Sequence, residues 1–141
     1  MTAVQALLVP LFLHVLLTVW IGQRSLRARI ASVRSGETRI KDIAVDNSAW
    51  PGKVRALGNN FDSQFDLPML WYACCALLVA TGLADWVSAA LSWAFVALRF
   101  AHSVIHTGTN DVPLRMRVYL AGLAIVVLMW IWFGLRLFVL G

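Results

Sequence analysis

Charged side chains are scarce in this chain: 13% of its 141 residues, about half the share of an ordinary soluble domain. Set against 60% hydrophobic residues, that shortage argues against a water-soluble globule and for a membrane protein. Acids are scarcer than bases, seven against twelve, which leaves a formal net charge of +5. Cysteine is nearly absent. Cys74 and Cys75 are neighbours inside an apolar run, poorly placed for a structural disulfide, and no Cys-x-x-Cys or zinc spacing exists. They read as small packing residues and carry no information on compartment. The chain also lacks a nucleophile elbow, a P-loop and a dinucleotide fingerprint, and it shows no internal repeat or low-complexity stretch. Its three histidines, His14, His102 and His106, are too few for an integral-membrane di-iron oxygenase or desaturase.

What is present is four apolar runs, at about residues 4–22, 57–83, 86–107 and 114–140. Each is long enough for a hydrocarbon core that takes about 20 residues of helix. The expected fold is an all-α, integral membrane four-helix bundle forming one domain over residues 1–141. The first run has no basic segment before it and "GQRSLRARI" after it, so it reads as a retained helix rather than a secretory signal. That helix should continue past the membrane and stop near Gly36, with Pro51-Gly52 marking a later turn. Asn110-Asp111 followed by Pro113 reads as a turn and a helix start.

The basic residues fix an expected orientation. Arg24, Arg27, Arg29, Arg34, Arg39, Lys41, Lys53 and Arg55 fill the connection at residues 23–56, and Arg115 and Arg117 follow the third run. The short link "GLADWV" has none. By the positive-inside rule both termini lie outside the cytoplasm. The basic excess is then topological, with an affinity for anionic lipid headgroups, and nucleic acid is not an expected partner.

Two polar stripes interrupt the apolar pattern. In "ALRFAHSVIHTGTND", Arg99, His102, Ser103, His106 and Asn110 share an arc of roughly 100° on a helix. On an unbroken second helix, Asn59, Asp62, Ser63 and Asp66 also share one face. Asp66 would lie about 14 Å into that helix, at a depth similar to Arg99 on the third. An unpaired charge at a helix centre costs about 2.5–3.5 kcal/mol, so the stripes should face each other, another subunit or a watery cavity. One reading is structural: Asp66 pairs with Arg99, and the histidines hydrogen-bond across helices. The other is an inward-facing site for an anionic or zwitterionic ligand, open to the cytoplasm. Two further readings follow from the histidines. His102 and His106 with Asp62 or Asp66 could form a two-histidine, one-carboxylate metal site, although no glutamate follows the first histidine as zinc proteases require. A haem between His14 and a third-helix histidine is geometrically conceivable, but His14 reads more simply as a packing histidine bonded to a neighbouring helix.

The segments "RALGNNFDSQFDLPMLWYACCALL" and "ALRFAHSVIHTGTNDVPLRMRVYLAG" resemble bacterial members of the MAPEG family, the membrane-associated proteins in eicosanoid and glutathione metabolism. The resemblance rests on Asn59, Phe61, Phe65, Asp66 and Pro68, and on Leu98, Arg99, His102, His106 and Asn110. It implies a homotrimer in the bacterial inner membrane, with glutathione as co-substrate bound between subunits and hydrophobic small molecules as second substrates. It further implies a glutathione transferase or peroxidase in which Arg99 stabilises the thiolate. Asn59, Asp62, Asp66, His102, His106 and Asn110 would then line the ligand. A non-catalytic lipid-binding or accessory subunit is the alternative, since some relatives have that role. The family's enzymes carry Arg-x-x-x-Asn-x-x-Glu-x-x-Pro on helix two. Here Arg55, Asn59 and Asp62 keep the first spacing, but Pro68 follows late. Taking Asp66 as the acid puts Ser63 where asparagine is expected.

Overall fold

The computed structural model describes residues 1–44 and 46–140. All regular structure among them is helical: α1 (Ala3–Arg34), α2 (Gly52–Asp62), α3 (Leu67–Ala80), α4 (Trp86–Thr107) and α5 (Val112–Leu135). A π-helical turn, Arg136–Leu140, prolongs α5, and two short 3-10 turns lie in the α1–α2 connection. Four stretches are long and apolar enough to cross a membrane: α1, α2 with α3, α4, and α5 with its extension.

Local chemistry explains most of the boundaries. Thr2 and Gln5 form a capping box at the start of α1, satisfying amides that would otherwise be orphaned. The helix ends at Arg34, and Gly36 takes the left-handed conformation that lets the chain turn away (φ 77°). At 32 residues, α1 is about 48 Å long and so outruns a hydrocarbon core of about 30 Å. Asp85 and Ser88 cap α4 reciprocally. Asp111 accepts from the Leu114 amide at 2.9 Å to open α5, with Pro113 in its first turn.

The second apolar run departs from the expected single helix at 57–83. Helix begins earlier, at Gly52, and breaks at Ser63–Asp66 before α3 restarts at Leu67. Pro68 is the physical reason. Continuing α2 through it would need an N–H that proline lacks and would drive its ring into the Gln64 carbonyl. After the break Pro68 occupies the first turn of α3, where no N–H is required. The turn itself is closed by Gln64 N–H to Phe61 O (3.0 Å) and Phe65 N–H to Asp62 O (2.9 Å).

Packing centres on α4, which lies against both α1 and α5, while α2 and α3 cover the remaining side. Trp71, Phe95, Leu78, Met129 and Val126 form the core. Cys74 and Cys75 are buried there and unpaired, consistent with packing roles. Ser92 ties three helices: its Oγ accepts from Trp71 Nε1 (3.2 Å) and donates to the Leu7 carbonyl (3.1 Å). Large apolar side chains such as Phe12, Leu16, Trp20 and Trp86 point outward, as membrane-facing helices require.

Candidate functional site

One end of the bundle gathers the base-rich half of α1, the start of α2 and the α4–α5 turn. Between them opens a cleft of about 830 Å³. Its cations come from three elements: Arg24 on α1, Lys53 and Arg55 on α2, and Arg115 on α5. Asn59, one turn beyond Arg55, His106 and Asn110 supply neutral polar groups. Asn110 has a left-handed backbone (φ 51°), a conformation asparagine tolerates, and its Oδ1 accepts from Arg115 Nη1 at 2.6 Å. Arg24 lies over the Trp20 ring, 4.7 Å from its centroid. Among the described residues no carboxylate lines the cleft, so its positive field is not neutralised by them.

The sequence-derived candidates divide three ways. Asn59, His106 and Asn110 meet in this cleft. Arg99 and His102 lie in the bundle interior beside it. Arg99 is 2% exposed; its Nη2 donates to the Ser63 carbonyl (2.9 Å) and hydroxyl (3.1 Å), while Nε has no partner. The rings of His102 and His106 are 5.8 Å apart, and neither Nδ1 has a hydrogen-bond partner. Asp62 and Asp66 form the third group: both are exposed on the protomer surface. The expected Asp66–Arg99 ion pair does not form. Among the described residues the ion pair present is Asp85–Arg136, 3.7 Å, at the far end of the bundle. The break after α2 is responsible, because a four-residue turn resets the helical phase. Ser63 faces inward to Arg99, while Asp62 and Asp66 turn outward.

His14 does bond across helices. Its Nδ1 meets the Tyr72 hydroxyl at 2.8 Å and its Nε2 meets Gln64 Oε1 at 3.1 Å. With both ring nitrogens engaged, haem ligation through His14 would displace one of these two hydrogen bonds. No group of three metal-ligating side chains occurs among the described residues.

In the sequence Arg24, Lys53 and Arg115 read as topology signals, and Arg55 both as one and as the start of the helix-two motif, so the cleft that the four line together is hidden there. The i, i+4 spacing of Arg55 and Asn59 was the available signal. Gln64 and Tyr72 passed unnoticed as isolated polar residues in apolar surroundings.

Neither a curated protein nor a solved structure was found to match the chain. The family model for the MAPEG family matches residues 5–135, nearly the whole of it. With four membrane-spanning helical stretches and a match of that extent, this integral membrane protein belongs to the MAPEG family.

Proposed function

We propose that the chain binds glutathione in the basic cleft and directs its thiolate at lipophilic electrophiles arriving through the bilayer, as a transferase or peroxidase. The observation that carries this reading is the set of four cations around one open cleft with no carboxylate among them. Glutathione brings two carboxylates, which suit Arg24, Lys53 and Arg55. Its ammonium finds an acceptor in the side-chain carbonyl of Asn59. Arg115 beside His106 is then the group placed to stabilise the thiolate, because a neighbouring cation lowers a thiol's pKa. In the transferase reaction the sulfur lone pair forms the new C–S bond, and the electrophile's leaving group departs with the displaced pair.

Arg99 was the sequence's candidate for the thiolate. Its bonds to Ser63, outside the cleft lining, suit it better to holding α4 against the α2–α3 break. His102 then backs His106, within a homotrimer of such subunits. Isothermal titration of glutathione into detergent-purified protein at modest salt tests the reading. Saturable binding is expected, with glutathione conjugation lost in Arg115→Ala; no binding up to millimolar glutathione would sink it.

One observation favours a second reading, a non-catalytic lipid-binding or accessory subunit. Asp62 and Asp66 are exposed within a membrane-spanning stretch, where a carboxylate facing lipid is costly. If their main task is assembly, Asp66→Asn loosens the oligomer in native mass spectrometry. An unchanged oligomer counts against that role.

A further inference from the structure

A second cavity, of about 270 Å³, lies between α1 and the α2–α3 segment, well away from the basic cleft. Its rim is apolar and exposed: Val15 and Val19 on α1, Phe65 and Met69 opposite. Its interior is not apolar. His14 and Gln64, each 1% exposed, and the half-buried Tyr72 also line it, together with Thr18. His14 lies about 16 Å along α1 from Ala3, near the middle of a hydrocarbon core of about 30 Å. Hydrogen-bonding groups are expensive at that depth, so the direction of each bond matters.

The directions can be assigned one after another. The Asn60 main-chain carbonyl, 2.7 Å from Gln64 Nε2, only accepts, so the amide nitrogen of Gln64 must face it. That turns Gln64 Oε1 towards His14, and the His14 Nε2 facing it must carry a proton. Among the described residues no carboxylate lies within ion-pair distance of His14, and a lone imidazolium here would be costly, so the ring is neutral. Its Nδ1 is therefore an acceptor, and the Tyr72 hydroxyl donates to it. The Thr18 hydroxyl donates to the His14 carbonyl at 2.9 Å. Every hydrogen of this polar cluster is thus committed inward. What Tyr72 and Thr18 have left for the groove is oxygen lone pairs.

We propose that this groove binds a long-chain lipid carrying a free hydroxyl, whose O–H is accepted by Tyr72 or Thr18 at mid-membrane depth. The acceptor-only floor selects a hydrogen-bond donor. Ketones, esters and ethers, which only accept, have no donor to meet. Water is the weaker occupant: it could donate to Tyr72 and Thr18, the minimum of two partners, but its own lone pairs would face apolar walls. A hydroxyl on an alkyl chain matches both features: one donor for the floor and hydrocarbon for Val15, Val19, Phe65 and Met69.

The test uses the full chain in detergent and two photoprobes, a dodecanol and its methyl ether, each with a diazirine in the chain. Labelled peptides are read by mass spectrometry. The alcohol should label residues 15–19 or 65–72 roughly three- to tenfold more than the ether, in line with the modest worth of a hydrogen bond within a membrane. Tyr72→Phe should reduce that preference, and Tyr72→Phe with Thr18→Val should abolish it. Should the variants fail to fold, competition on the wild-type protein decides alone: unlabelled dodecanol displaces the probe and the ether does not. Equal labelling by the two probes, a preference that survives both substitutions, or labelling confined to other surfaces overturns the proposal.

Discussion

Asp85 shows how much one carboxylate can do where charge is rare. It caps α4, accepts from Trp132 Nε1 at 3.0 Å and lies 3.7 Å from Arg136, joining the α3–α4 turn to the end of α5. Burial pushes its carboxyl upward. The Ser88 amide, the Trp132 indole, the Ser88 hydroxyl and Arg136 outweigh burial and hold it below the usual carboxylate value. A folded pKa below the unfolded one makes Asp85 stabilising above the unfolded value of about 3.9. That contribution disappears as pH falls through the lower, folded value. Thermal unfolding in detergent should therefore show a loss between the wild type and Asp85→Ala at neutral pH. The gap should close below about pH 4 as the wild-type carboxyl protonates. A gap that persists unchanged in acid would mean that Asp85 acts through packing alone.

Among the elements, the informative one is the interrupted second span. The starts of α4 and α5 and the end of α1 were legible: an apolar run begins at Trp86 after a short link, and Asp111 with Pro113, and Gly36, are local signals that act within a turn of where they stand. The break at Ser63–Asp66 had its signal too, in Pro68, but the apolar run continues across it. Face arithmetic at 100° per residue assumes one unbroken helix, so it put Asn59, Asp62 and Asp66 on a common stripe. Asn59 and Asp62 do share α2, but the turn that parts Asp66 from them is not visible to periodicity. How closely α2 packs on α1 was equally hidden, and two glycines report it. A Cβ on Gly22 would sit 2.9 Å from the Phe61 ring, which is itself held 5.1 Å from Phe65 by edge-on stacking. A Cβ on Gly58 would meet Arg29 Nη2 at 2.8 Å, the far end of a flexible side chain that can swing away. Gly22→Ala should thus destabilise by about 1–3 kcal/mol through overpacking, less any helix-propensity gain. Gly58→Ala should be neutral or slightly stabilising, as expected when alanine replaces a helical glycine at up to about 1 kcal/mol. Denaturant titration of the pair checks this. Equal losses at both would show that Arg29 is as fixed as the Phe61 ring.

Across the whole molecule the two cavities answer to different forces, and that difference can be measured without knowing any substrate. The basic cleft was hidden in the sequence because positive residues at helix ends look the same whether they set topology or bind an anion. Only the folding of α1, α2 and α5 to a common end shows that Arg24, Lys53, Arg55 and Arg115 converge. Their field reaches through an open, hydrated cleft, where the screening length falls from about 10 Å at 0.1 M salt to about 3 Å at 1 M. Exposed ion pairs contribute roughly 0.2–1 kcal/mol each, so two ligand carboxylates stand to lose about 0.5–2 kcal/mol on screening. Glutathione affinity should weaken by roughly 2- to 30-fold between low and molar salt. The mid-membrane groove recognises its ligand through an uncharged oxygen and apolar walls, so dodecanol labelling should stay level, or rise slightly, over the same series. Both responses come from one preparation, which removes loss of fold as a common cause. A glutathione affinity that ignores salt would mean that the four cations do not carry the binding, and the cleft would lose its claim to be the site even if glutathione bound elsewhere.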